Sequence, residues 1–365
     1  VAALRTNGLD AILLFAPESQ YWLTGYDSFG FAMFQCLILT AQGDAHLLTR
    51  APDRLQALQT SVLTTEQVHV WPEYQGADPV ADLIALLSDL GVAKGTIGFE
   101  SRTAGLTDYW GHRLRSALPA AHDASDLFPA LRRTKSEAEI TMYRRAAALS
   151  DDALDAARAH THAGAHEADI AAAMHSAVLR GGGDLAGNDF IIGSGAAALL
   201  CRSASGRRRL DAQDQLTLEW SGTYARYHAA MMHTLVIGDP DPVHQRMFDA
   251  ARDALVACEA AIRPGAPMGD VFDAHAQSFD TSGFGHARLQ ACGYGMGAVF
   301  APIWVDFPMF YEGNPTPMQR GQVFFLHMIL MDDQSGKAFC LGHSVLVTET
   351  GVERLSRHTP ELIVC

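Results

Sequence analysis

The chain has 365 residues, 48% of them hydrophobic, which is enough for two domains and a large buried core. Its 41 acidic against 27 basic residues give a net charge of −14, which argues against nucleic acid or an anionic membrane surface as a partner. The six cysteines (Cys36, Cys201, Cys258, Cys292, Cys340, Cys365) show no CxxC spacing, and no apolar run reaches the roughly 20 residues of a membrane span, so a soluble cytoplasmic protein without zinc cluster or disulfide framework is expected.

The first third alternates strand and helix patterns. Short apolar runs at 11–16, 36–40 and 45–49 read as buried strands, joined by runs at 65–70 and 96–99. Segments 53–63, 79–90 and 104–118 carry apolar residues at helical spacing. This order predicts an α/β domain over 1–128, and nothing in it resembles a glycine-rich phosphate loop.

Past Phe128, Ser136 with Glu139 three residues on forms a capping box that opens a long helix to about His160. A second helix begins near Glu167 and is broken by Gly181 to Gly183. Strand patterns follow at 190–192, 215–219, 231–237, 323–330 and 344–348, with helices at 244–262 and 268–283. An α+β domain over 129–365, an antiparallel sheet backed by helices, fits this order. Within it, residues 216–238 read as a hairpin: an apolar strand ending at Glu219, a turn through Ser221 and Gly222, and a second strand from Tyr227 to Gly238.

Landmarks along nearly the whole chain resemble the creatinase/aminopeptidase superfamily, which has the pita-bread fold and includes prolidases and methionine aminopeptidases. They are SQYWLTGYDSF at 19–29, LRRTKSEAEITMYRRAA at 131–147, FIIGSG at 190–195, the hairpin, ACGYGMGAVFAP at 291–302, GQVFFLHMILM at 321–331 and LGHSVLVTETGVERLS at 341–356. The resemblance implies a catalytic C-terminal domain and a homodimer, with Tyr26 and Phe29 in the N-terminal segment that reaches the neighbouring subunit's site in such enzymes. It also implies five metal-ligand positions, occupied here by Glu219, Ala230, Tyr294, His327 and Gly342. Paired divalent cations need several carboxylate oxygens to offset their repulsion, so no metal and no other cofactor is expected. The remaining option is a mononuclear site built from Glu219, His327, His343 and His228 or His233.

Two metal-free relatives frame the expected chemistry. Creatinase uses a histidine whose equivalent here is Arg202, and a guanidinium cannot serve as a base near neutral pH, so that chemistry does not transfer. LEWSGTYARYHAAMMHT and CGYGMGAVFAPIW look like the corresponding segments of ectoine hydrolase. That resemblance implies a carboxylate at Glu219 attacking an amidine-like carbon.

Each candidate has a plainer alternative. Glu219 in an apolar strand is costly unless paired with an arginine or used in chemistry. His327 among apolar residues is either a proton-transfer group or a satisfied core histidine. Tyr294, flanked by glycines, is a proton donor or a packing residue. His228 and His233 point to opposite faces by strand alternation, and His228 is the better candidate for the site. Arg202 suits a substrate carboxylate or a salt bridge. His343, beside Gly342, is expected to be exposed. Trp304 and Asp306, in IWVDFPMFYEGN, are candidates to wall a substrate pocket, with packing as the plainer role for most residues of that insertion. The sequence therefore predicts a metal-independent hydrolase of a C–N bond in a small polar substrate, with Glu219 as nucleophile and His327, Tyr294 and His228 moving protons. The alternatives are a metal-dependent Xaa-Pro dipeptidase or aminopeptidase and a non-catalytic binding protein.

Overall fold

Apolar residues along the first strands go to alternating faces, which accounts for a sheet covered on both sides. The computed structural model describes residues 1–203 and 206–365, and the chain divides into units Val1–Arg132 and Arg133–Cys365. The first unit runs α1 (Ala2–Thr6), β1 (Ala11–Leu14), α2 (Pro17–Thr24), β2 (Cys36–Thr40), β3 (Ala45–Thr49), α3 (Ala51–Thr60), β4 (Val68–Val70), α4 (Pro79–Asp89), β5 (Ile97–Phe99), α5 (Asp108–Ala117), β6 (His122–Asp123) and α6 (Leu127–Arg132). Its sheet has the order β4-β3-β2-β1-β5-β6. Ala11 and Leu13 join α4 and α5 residues such as Leu83 and Leu114 in one core, while Ile12 and Leu14 join Leu4, Ala57 and Phe128 in the other.

Two expectations change here, and one element is new. The segment at 65–67 is a 3₁₀ turn that precedes a shorter strand, and α2 was not anticipated. Pro17 lies in its first turn, where a missing N–H costs nothing, and Gly25 closes it at φ 81°. The boundary falls after Arg132 and not at 128, because α6 carries Phe128 into the first unit's core.

The second unit opens with α7 (Glu137–His160), whose capping box forms as expected: Ser136 N–H donates to Glu139 at 2.8 Å and Glu139 N–H to the Ser136 hydroxyl at 3.3 Å. It continues through α8 (Glu167–Arg180), β7 (Ile191–Ser194), β8 (Asp214–Tyr224), β9 (Tyr227–Ile237), α9 (Pro242–Ala261), α10 (Met268–Thr281), β10 (Ala291–Met296), β11 (Val305–Tyr311), β12 (Val323–Asp332), β13 (Lys337–Val347), β14 (Val352–Arg354) and β15 (Ile363–Val364). The sheet order is β11-β10-β12-β13-β9-β8-β7, with β14 on β13 and β15 on β9.

Helices cover one face of this sheet. Met247, Leu255 and Phe279 of α9 and α10 pack with Phe324, Leu326 and Met328 of β12 and with Phe339 and Leu341 of β13. Each such side chain contributes roughly 1.5–3 kcal/mol by burial. On β8, Trp220 points to α7 and donates its indole N–H to Ser150 O at 3.0 Å. By alternation, the neighbouring positions of these strands share the opposite face.

The hairpin differs from its expected form. β8 does not end at Glu219 but continues through Ser221 and Gly222 to Tyr224, and the turn is Ala225–Arg226, both at positive φ (48° and 64°). Such a two-residue turn matches the right-handed twist of the strands it joins. Gly222 lies inside the strand because α7 passes directly over it: a Cβ there would collide with Ala146 O and Ser150 N. The Ser150 hydroxyl accepts Gly222 N–H at 2.6 Å and donates to Ala229 O at 2.5 Å. Glu219 is therefore held mid-strand on a tightly paired hairpin.

Candidate functional site

Cross-strand partners in a sheet share a face, so the register places the side chains. Glu219 pairs with Met232, Met232 with Gly342, and Gly342 with His327, one row across β8, β9, β13 and β12. One step along, Ser221 pairs with Ala230, the Ser344 hydroxyl donates to Ala230 O at 2.9 Å, Ser344 pairs with Phe325, and Phe325 with Tyr294. These two rows hold all of Glu219, Ala230, Tyr294, His327 and Gly342. They lie on the face that the helices leave uncovered.

Glu219 is enclosed by protein yet partly reached by solvent. Burial pushes its carboxyl from 4.5 up to about 7, against the opposing pull of the Tyr294 hydroxyl and the Arg202 charge. Tyr294 donates to Glu219 Oε1 at 3.4 Å, and burial holds its own proton on well above the usual phenol range. Arg202 is exposed in the turn after the 3₁₀ helix Gly195–Leu199, and its neighbour Cys201 touches Met331 of β12 with sulfurs 3.4 Å apart. That contact lays the turn over the same face as His327. The His327 ring packs against Tyr294 and Phe325, with centroids 5.6 and 5.7 Å away, and burial lowers its pKa to about 4. It is a neutral base at pH 7. Its Nδ1 is buried with no hydrogen-bond partner among the described residues.

Several expected roles change. His228 is on the site face, but its Nδ1 donates to Arg226 O at 2.8 Å and its Nε2 accepts Gly187 N–H at 2.8 Å. Both nitrogens are committed to backbone and burial lowers the pKa to about 4, so His228 braces a loop and does not carry protons. Trp304 is not a pocket wall. It is 1% exposed, its indole N–H donates to the Tyr294 hydroxyl at 2.8 Å, and its backbone N–H donates to Asn188 Oδ1 at 3.0 Å. Asp306 is likewise buried, accepts Phe307 N–H at 3.0 Å, and lies where a Cβ on Gly297 would collide with it.

His233 and His343 face the helices. His343 is buried and bonded to Glu259 of α9 at 2.7 Å, where Arg354 also binds, so it is neither exposed nor available to the site. In the first unit, Tyr26 is 2% exposed in that unit's own core and bonded to Gln35 at 3.4 Å, which removes it from any surface role; Phe29 is 82% exposed. Asn188 and Gly187 were missed by sequence reasoning, because nothing local links Asn188 to an indole 116 residues away.

The donor set does not fit paired cations. Ala230 and Gly342 offer no ligand atom, and Tyr294 keeps its proton. Gly342 also lies so close to β12 that a Cβ would collide with Leu326 O, which leaves no room for a carboxylate side chain. Among the described residues, no three His, Cys, Asp or Glu side chains gather closely enough to hold a metal ion. A cleft of about 420 Å³ elsewhere in the unit, lined by Arg208, Asp214, His244 and Lys337, contains none of the candidates, and its cations are paired with Asp214 and Asp241.

Comparison with known proteins agrees with this architecture. Residues 141–349 match the model of metallopeptidase family M24, and residues 1–134 match the creatinase/prolidase N-terminal domain. An uncharacterised hydrolase/peptidase of Sinorhizobium fredii is 28% identical over 99% of this chain and 94% of its own length. The ectoine hydrolase of Halomonas elongata is 25% identical, again over 99% and 94%. The prolidase structure from Thermococcus sibiricus superposes with a TM-score of 0.88 at 18% identity, covering 100% of this chain and 96% of that one, a likeness of fold.

Proposed function

The chain belongs to metallopeptidase family M24, within the creatinase/aminopeptidase P/prolidase superfamily, and from that premise we propose that it is a metal-independent hydrolase of a C–N bond in a small polar compound. One observation carries the reading: of the five ligand positions, Glu219 alone keeps a carboxylate, and a hydroxyl donor points at it. A carboxylate titrating at about 7 is populated in its ionised form at neutral pH while poorly solvated, the state in which it is a competent nucleophile. A cationic amidinium entering the site would supply the missing counter-charge.

In the proposed first step Glu219 forms a C–O bond to the amidinium carbon, and the C=N pair moves onto a nitrogen that already carries its proton. The Tyr294 hydroxyl donates toward the departing nitrogen as the C–N bond breaks. Water then attacks the glutamyl-bound carbon and gives one proton to His327. As the C–O bond to Glu219 breaks and restores the carboxylate, the new carbonyl forms and its hydroxyl proton passes to the freed amine, while the proton on His327 returns to the Tyr294 oxygen. The likeness to ectoine hydrolase supports a cyclic amidine as the first substrate to try.

The test is turnover of cyclic amidines by chelator-treated wild type and by Glu219→Gln, with mass spectrometry for an adduct on the Glu219 peptide. Turnover by the metal-free wild type and its loss in the variant are expected. Turnover of Xaa-Pro dipeptides that requires two bound divalent ions per chain would replace this reading with the metal-dependent peptidase one. Ligand-induced thermal stabilisation without consumption of any compound would replace it with the binding-protein one.

A further inference from the structure

Behind Glu219 lies a chain of hydrogen bonds whose direction is fixed from one end. An indole N–H is a donor and never an acceptor, so in the Trp304 to Tyr294 contact at 2.8 Å the phenolic oxygen must accept. That leaves the Tyr294 proton to be given away, and Glu219 Oε1 is 3.4 Å from it. The indole cannot turn aside: it is 1% exposed, and its backbone N–H is tied to Asn188 Oδ1 at 3.0 Å. Asn188 belongs to the loop that His228 holds through Gly187 N–H at 2.8 Å. The loop, the indole and the hydroxyl thus form one braced line ending on the carboxylate.

We infer that Trp304 is a positioning residue, whose N–H orients the Tyr294 hydroxyl as a donor to Glu219 and so biases Glu219 toward the ionised, nucleophilic form. The inference rests on the reading of Glu219 as the working carboxylate. Its physical basis is competition for the phenolic oxygen. A protonated Glu219 accepts the Tyr294 proton only weakly, and its own O–H finds the phenolic oxygen already engaged by Trp304, whereas an ionised Glu219 accepts in a charge-assisted bond the proton that Trp304 leaves free. Donation by the indole also polarises the hydroxyl and strengthens its bond to the carboxylate. The other groups acting on Glu219 are Arg202, which favours its ionised form, and the thiols of Cys201 and Cys340, which feel its charge; His327 lies on the same row.

The test follows the ionisation of Glu219 by ¹³C NMR of carboxyl-labelled glutamate, with Glu219→Gln identifying the signal. Tyr294→Phe should raise the midpoint by about one pH unit, the loss of one hydrogen bond to a charged group. Trp304→Phe should raise it by about half as much, and the double variant should match Tyr294→Phe alone. A merely structural role for Trp304 predicts a shift of equal size in both backgrounds, and that result, or no shift at all, overturns the inference. If Trp304→Phe does not fold, benzothienylalanine at position 304 keeps the indole shape and deletes the N–H, with the same expectations. The readout needs no turnover, so an inactive protein fails the functional reading without deciding this one.

Discussion

Replacing Glu219 by glutamine removes a charge and keeps the shape, and its effect on stability should depend strongly on pH. Folding raises the carboxyl from 4.5 to about 7, so between those values the folded protein binds a proton that the unfolded chain has released. Stability from this group is therefore highest at low pH and is lost as pH rises through 7. The full shift corresponds to roughly 3 kcal/mol at about 1.4 kcal/mol per pH unit. Between pH 5 and pH 8 about 2 kcal/mol of it is lost, because solvent reaches the carboxylate in part. Glutamine is neutral throughout. Urea unfolding at pH 5 and pH 8 should show Glu219→Gln gaining about 2 kcal/mol on wild type between the two conditions, at unchanged m-value. A difference between the two proteins that stays constant across this range would mean that Glu219 is not desolvated in the folded state, and the nucleophile argument would lose its physical basis.

Gly342→Ala should cost at least about 2 kcal/mol in urea unfolding, since the new methyl group meets the Leu326 carbonyl across the strand; an effect under about 0.5 kcal/mol would show that β12 and β13 can part there. His228→Phe leaves Gly187 N–H without its acceptor, at a cost of about 1–3 kcal/mol, and hydrogen exchange should accelerate over 184–190; unchanged exchange there refutes the bracing role. His228, His233 and His327 are held near 4 and His275 near 3, all by burial, so below 6.5 the unfolded chain takes up protons that the folded one refuses. Stability should fall as pH drops from 6.5 toward 4, the opposite sign to Glu219, and flat stability over that window would contradict the burial of these rings.

The fold was readable because its signals are local. The Ser136–Glu139 box, the apolar runs of β2 and β3 and the spacing in α9 each state an element within a few residues, and each formed nearly as expected. The hairpin turn was misplaced for an equally physical reason. Ser221, Gly222 and Thr223 have the composition of a turn, yet they lie buried in β8 because Ser150 supplies the hydrogen bond and Gly222 the clearance that α7 demands. Within the site, alternation correctly separated His228 from His233, but it could not show that both nitrogens of His228 are bonded to backbone. For Trp304 and Asp306, their place in the insertion leaves open whether they wall a pocket or pack. Their burial follows from contacts with Asn188, Tyr294 and Gly297, distant in sequence.

The two rows on the open face explain why one carboxylate is the number this site can hold without cations. A second carboxylate at Ala230, diagonal to Glu219 across the hairpin, would add like-charge repulsion to the desolvation that already brings Glu219 to about 7. The pair would then keep a proton at neutral pH, and the nucleophilic form would be lost. Ala230, Gly342, a protonated Tyr294 and a neutral His327 add no anionic charge, so Glu219 ionises within reach of pH 7 with one hydroxyl and one distant guanidinium as support. In a metal centre, cations would offset carboxylate repulsion and the same positions would favour acids. If Glu219 is the nucleophile proposed above, the absence of charge at those neighbours is the condition for it to act without cations, and the energy that its burial costs, roughly 3 kcal/mol at most, is small enough for the hairpin beneath it to bear.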